Sequence, residues 1–192
     1  MRKPRQTLNT LRAIALEHAS VAVPDLASMA RELGRVVHRS SSAIASPRAR
    51  MRQRGQGLRR WLLAQRSQPA VSVVVMAWPA NHCTPLYDHA GLWGLELTLV
   101  GALEMQSWRR DPSSGDLRAL GRDWLGPGDG IWFEDGQEHL HRCRNLSQNE
   151  TALTLHVYGG DLTSYRTCEE AMPAGMGKTR LQQNVFAGHL NL

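Results

Sequence analysis

Over residues 71–158 the chain reads as a succession of short extended runs, and this stretch constrains its fold more than any other. Val71-Ser72-Val73-Val74-Val75-Met76-Ala77-Trp78 is β-branched and almost continuously apolar, the pattern of a strand buried on both faces. Further strand-like runs fall at about residues 95–99, 103–109, 117–125, 130–134, 139–143 and 152–158. Turn residues part them: Asp111-Pro112-Ser113-Ser114-Gly115, Gly126-Pro127-Gly128-Asp129, Asp135-Gly136 and residues 145–149. Many short strands at this spacing predict a mainly β protein, built as a sandwich or a double-sheet barrel.

The flanks read differently. Leu8, Leu11, Ile14 and Ala15, then Leu26, Met29 and Leu33, recur at helical spacing, which predicts two short helices parted near residues 21–24, with Asp25 starting the second. Residues 40–47, Ser40-Ser41-Ser42-Ala43-Ile44-Ala45-Ser46-Pro47, read as a loop. A third helix is expected over residues 50–64, laying Leu58, Trp61 and Leu62 against the barrel. After Tyr165 the chain is loop-like, so residues 172–192 are expected to wrap or to stay irregular. The expected organisation is a helical segment at 1–66, a barrel at 67–166 and a tail at 167–192, within one domain of 192 residues.

Charge is unevenly spread. Residues 1–66 hold 14 Lys+Arg against 3 Asp+Glu, and residues 67–192 hold 9 against 14, so the net +6 sits outside the barrel. Arg48, Arg50, Arg52, Arg54, Arg59, Arg60 and Arg66 are its densest part, but only Trp61 is there to stack on a base, which argues against nucleic acid as a partner. No run of about eighteen apolar residues suggests a membrane span. Three cysteines without zinc-like spacing, Cys83, Cys143 and Cys168, suit unpaired thiols in a reducing cytoplasm.

Two polar words carry the candidate chemistry. In Thr84-Pro85-Leu86-Tyr87-Asp88-His89 an extended chain turns Tyr87 and His89 to one side, and in Glu138-His139-Leu140-His141 it does the same for His139 and His141. Imidazoles turned inward across a barrel suit a metal. His89 and His141 are the leading candidates. His139 is a substitute, Asn145 a turn-shaping residue, and His82 is poorly aimed. Thr154, His156 and Tyr158 share a face of the last run and suit a hydrogen-bonded chain.

The order and spacing of Trp78-Pro79, Thr84-Pro85-Leu86-Tyr87-Asp88-His89, Trp93-Gly94, Gly126-Pro127-Gly128-Asp129, His141-Arg142-x-x-Asn145 and Thr154-Leu155-His156-Val157-Tyr158 resemble the thiol dioxygenases, the cysteine and 3-mercaptopropionate dioxygenase group. The resemblance covers about half of the chain. It implies a cupin barrel, a double-stranded β-helix, holding Fe(2+) and oxidising a small thiol carboxylate with dioxygen to a sulfinic acid. The family's first metal word is His-x-His, so Tyr87 stands where a histidine is expected and the metal set becomes His89, His141 and Tyr87. A free phenol titrates near 10, which makes it a poor ligand unless the metal lowers that value. Thr154, His156 and Tyr158 match the family's Ser-His-Tyr series beside the iron. Gly94 stands near the position of the animal-type cross-linking cysteine, so no cross-link is expected. In the family the substrate carboxylate is met by an arginine from the helix before the first buried strand; Arg60 is the choice here, with Arg59 next to it. The alternative is a divergent cupin whose metal site is impaired at Tyr87 and which binds a small anionic ligand or a partner. Monomer and homo-oligomer are both compatible with the sequence.

Overall fold

The computed structural model describes residues 4–51, 57–134, 138–161, 163–168, 179–183 and 186–190, with side chains undescribed at 4, 41–51 and 179. Two helices, α1 (Pro4–His18) and α2 (Leu26–Met51), precede twelve strands. These are β1 (Arg59–Ser67), β2 (Ala70–Trp78), β3 (Leu86–Tyr87), β4 (Gly94–Val100), β5 (Leu103–Arg110) and β6 (Leu117–Leu125), then β7 (Gly130–Phe133), β8 (His139–Asn145), β9 (Ala152–Tyr158), β10 (Ser164–Cys168), β11 (Thr179–Gln183) and β12 (Gly188–His189). They form two six-stranded sheets, in the orders β12-β1-β2-β9-β4-β7 and β11-β10-β3-β8-β5-β6. The expected double-sheet, mainly β architecture is present.

Asp25 starts α2 as expected: its carboxylate accepts from the Ser28 backbone N–H at 2.9 Å and from the Ser28 hydroxyl at 2.7 Å. The helices lie on the outer face of the first sheet. Leu8, Leu11, Met29, Leu33 and Val37 pack there against Val73, Val75, Leu95, Leu97, Leu155 and Val157. Alternation then sends Val74, Met76 and Trp78 of β2 into the barrel. A strand with helices on one side and the barrel interior on the other is apolar at every position, which explains the unbroken run from Val71.

Three expectations are corrected. The loop over residues 40–47 is helical, because α2 runs on to Met51 and departs from helical geometry at Ser40 (φ −130°, ψ 16°). Serine opposes a helix only weakly and alanine favours it, so the run of serines is a weak stop signal, while Pro47 lies within α2 against its propensity. Of the third helix expected over residues 50–64, residues 50–51 end α2, 52–56 lie outside the described residues and 59–64 are strand, the first part of β1: Leu58, Trp61 and Leu62 have helical spacing, but β2 needs a partner along its edge, and β1 supplies one antiparallel from Arg59↔Ala77 to Ser67↔Ala70. Beyond Tyr165 the chain is not all loop. β10 pairs with β3 and β11, and β12 pairs with β1. The rest of the expected tail, residues 169–178, 184–185 and 191–192, lies outside the described residues, as do Arg52 and Arg54 of the basic run. Among the described residues no helix is long and apolar enough to cross a membrane.

Candidate metal centre

The two sheets bring separate words of the sequence to one buried point. Glu96 of β4 stands directly opposite His156 of β9, and Tyr87 of β3 directly opposite His141 of β8. His89 enters from the loop after β3. A clamp at Asp88 holds that loop: its buried carboxylate accepts from the backbone N–H of Ala90 (3.2 Å) and of Arg166 (3.0 Å), and from the Arg166 guanidinium (2.7 Å).

Glu96 is the hub. Its Oε1 lies 3.1 Å from His89 Nε2, 3.3 Å from His141 Nε2 and 3.2 Å from His156 Nδ1, and accepts from the Tyr158 hydroxyl at 3.3 Å. His89, Glu96 and His141 are 0%, 2% and 0% exposed, and one ligand atom from each lies within 4.8 Å of the others. Burial alone would raise the Glu96 carboxyl, but the imidazoles of His141 and His156 outweigh it and hold the group well below its ordinary range. Burial, reinforced by His141, lowers His89 to about 4. The His89–Glu96 contact is therefore a hydrogen bond between a neutral imidazole and a carboxylate, despite its ion-pair spacing.

These donors fit a divalent first-row metal. Two imidazole nitrogens and one carboxylate oxygen on one side of a site are the donor set of non-haem Fe(II) oxygenases. The Nδ1 atoms of His89 and His141 are buried without a hydrogen-bond partner among the described residues, so packing orients these rings in place of the usual second hydrogen bond. Phe133 stacks on His89 with centroids 4.0 Å apart, and Tyr87 meets His141 edge-on at 4.6 Å.

Tyr87 reaches the same point by a different contact. Its hydroxyl lies 2.8 Å from His141 Nε2 and 3.8 Å from Cys143 Sγ. Burial first, then the neighbouring Cys143 and Glu96, push the phenol well above 10, so it is a neutral group beside the donors. His139 lies outside the three-residue group and stacks on Phe133 at 5.4 Å. Asn145 shapes the turn after β8, donating to the carbonyls of Trp78, Pro79 and Glu150. Thr154, His156 and Tyr158 form the expected chain, with Thr154 Oγ1 2.7 Å from His156 Nε2 and His156 Nδ1 2.8 Å from the Tyr158 hydroxyl. At Gly94 a side chain would collide with the Phe133 ring, 2.3 Å from an added Cβ, so this position has no room for a cysteine.

A cavity of about 300 Å³ adjoins the centre, lined by Arg60, Met76, His82, Tyr87, Tyr158 and Tyr165 among others. Arg60 pairs with Met76 and turns inward with it, whereas Arg59 pairs with Ala77, whose side chain belongs to the helix-covered face. Arg60 and not Arg59 thus faces the cavity, and a strand carries it where a helix was expected. Its guanidinium donates to the Tyr165 hydroxyl at 3.4 Å, and its buried Nε has no partner among the described residues.

Sequence reasoning missed Glu96 and Tyr165. Glu96 did leave a signal: in Gly94-Leu95-Glu96-Leu97-Thr98-Leu99 a lone carboxylate interrupts a strand whose other face is all leucine. Tyr165 left none, because Ser164-Tyr165-Arg166-Thr167-Cys168 carries no alternation that marks it as a strand.

Residues 44–171 match the family described as cysteine dioxygenase type I. No curated protein matches the chain. Similar solved structures include the cupin domain of Schizosaccharomyces pombe Cnp3 (13% identity, 55% of this chain and 63% of that one, TM-score 0.44). An oxalate oxidase in complex with the substrate analogue glycolate is also similar (13% identity, 55% and 52%, TM-score 0.43), as is KdgF from Halomonas sp. (17% identity, 56% and 82%, TM-score 0.40). The chain thus spans less than two thirds of the first two.

Proposed function

The chain belongs to the cysteine dioxygenase type I family, and from that premise we propose that it is a non-haem iron dioxygenase converting a small thiol carboxylate, of the cysteine or 3-mercaptopropionate type, to its sulfinic acid. The observation that carries this reading is the convergence of His89 Nε2, His141 Nε2 and Glu96 Oε1 beside a cavity that holds Arg60. His89, Glu96 and His141 would hold the ion, with Glu96 and not Tyr87 as the third donor. Bound ferrous iron supplies acidification of a thiol and a place for thiol and dioxygen side by side. The balance closes without a further reductant, since thiol plus dioxygen equals sulfinic acid.

The protein's own groups bind and orient. Arg60 pairs with the substrate carboxylate through parallel N–H bonds and fixes the distance of the sulfur from the centre. Tyr158, whose phenol burial pushes well above 10, keeps its proton and offers it to whatever anionic group lies beside Glu96. Cys83, Cys143 and Cys168 form no disulfide, which suits a reducing cytoplasm.

One observation favours a second reading, a divergent cupin without this chemistry: the Tyr87 hydroxyl already engages His141 Nε2. Metal analysis of untagged protein, with oxygen uptake and sulfinate assay on both thiols, decides between them. About one iron per chain with thiol-dependent uptake supports the dioxygenase; no uptake by iron-loaded protein with either thiol refutes it.

A further inference from the structure

Trp78 closes β2, fully buried, and its indole N–H can only donate, to Thr154 Oγ1 at 2.8 Å. The Thr154 hydroxyl accepts that bond and has a single proton of its own to place. Among the described residues its available acceptor is His156 Nε2, 2.7 Å away. The threonine proton therefore goes to Nε2, which must be bare, and His156 carries its proton on Nδ1. The other side of the ring leads to the same tautomer. Nδ1 lies 3.2 Å from Glu96 Oε1, and a bare lone pair there would face a carboxylate oxygen. Nδ1–H also reaches the Tyr158 oxygen at 2.8 Å, which leaves the phenol proton for Glu96 Oε1 at 3.3 Å.

We propose that Trp78 is a positioning residue whose indole N–H sets the direction of the whole chain, from Trp78 through Thr154 and His156 to Tyr158, so that the tyrosine proton points to Glu96 and not back to the imidazole. Trp78 acts through Thr154. Its ring also lies face to face with His156, centroids 6.3 Å apart and planes 25° from parallel, but it is the donor and not the ring that fixes the tautomer. The use of the Tyr158 proton in turnover rests on the dioxygenase reading above; the tautomer itself does not.

The test is a long-range proton–nitrogen correlation spectrum of full-length, metal-free protein labelled with 15N-histidine, the His156 signals being assigned by their loss in His156→Asn. The expected pattern has a protonated Nδ1 and a bare Nε2 at neutral pH. Trp78→Phe keeps a buried aromatic ring and removes the donor, and should shift His156 to a mixture of both tautomers. Thr154→Val should do the same, and Thr154→Ser should restore the original pattern. A protonated Nε2 or an imidazolium in the unmodified protein overturns the proposal, whatever the variants do. So does a His156 spectrum unchanged in both Trp78→Phe and Thr154→Val. If the expected spectrum appears but iron-loaded protein oxidises no thiol, the tautomer assignment stands and the dioxygenase reading falls.

Discussion

Tyr87 competes for the atom that makes His141 useful. Its phenol bonds to Nε2, the same nitrogen that converges with His89 and Glu96, and burial leaves it no tendency to ionise and join them as an anion. A net hydrogen bond of about 0.5–1.5 kcal/mol must be given up when a cation takes Nε2, which weakens metal binding by roughly 2- to 10-fold. Tyr87→Phe should therefore tighten ferrous iron by that factor in anaerobic titration calorimetry. Tyr87→His should tighten it further and raise any sulfinate production, whereas His141→Ala should abolish binding. If Tyr87→Phe binds iron more weakly, the phenol is a ligand and not a competitor. Arg60 permits a separate test. Arg60→Ala should raise KM for the thiol carboxylate by an amount on the order of 1.5–3 kcal/mol with iron content unchanged, because a charged hydrogen bond to substrate is lost. Arg59→Ala should leave KM alone, since Arg59 shares the face of Ala77, away from the cavity. A KM effect confined to Arg59→Ala would place the carboxylate clamp at the wrong arginine.

Elements succeed or fail by their neighbours. Helix α2 lies so close to the turn between β6 and β7 that a Cβ on Gly34 would come 2.7 Å from the Gly128 carbonyl oxygen. The Cβ is fixed by the backbone that bears it and the carbonyl oxygen is itself backbone, so neither can rotate away. Gly34→Ala should lower stability by about 1–3 kcal/mol, read as a drop in the denaturation midpoint at unchanged m-value; an unchanged midpoint would mean that the helix shifts freely. The same dependence on neighbours explains what could be read in the sequence. β2 and β9 were legible end to end because both of their faces are buried and their residues favour extended chain. β1 was not: Leu58, Trp61 and Leu62 have the spacing of a helix, and only the edge of β2, which a one-dimensional pattern does not contain, makes a strand of them. β10 and β11 were missed for a related reason, since they exist by pairing with β3 and with each other. At the centre, alternation along a strand puts His141 and the polar residues of β9 on the inward face, whereas His89 reaches the same point from the loop after β3. Glu96 was visible only to a reader who asked why a carboxylate stood among leucines.

For the molecule as a whole, the burial of neutral imidazole ties stability to acidity. His89 titrates at about 4 in the folded chain and near 6.5 in the unfolded one, so below 6.5 the unfolded state takes up a proton that the folded state refuses. Stability from this source is full above pH 6.5 and lost as pH falls towards 4, on the order of 3 kcal/mol for the one group. His139, also lowered to about 4 by burial and His141, adds a smaller amount because it is partly exposed. Metal-free protein should thus lose denaturant resistance steadily between pH 7 and pH 4, and a His139→Asn variant should show a shallower slope. A flat profile over that range would mean that these imidazoles are already protonated in the fold. The helices that cover one side of the first sheet have a different consequence, one of reading frame. In β9 the residues that face α1 and α2 interleave with those that face the cavity, Leu153, Leu155 and Val157 against Thr154, His156 and Tyr158. Substitution can alter one set without touching the other. Insertion or deletion of a single residue cannot, because it would trade the two sets wholesale, sending polar groups under the helices and leucines into the centre. This strand should tolerate changes of letter far better than changes of length.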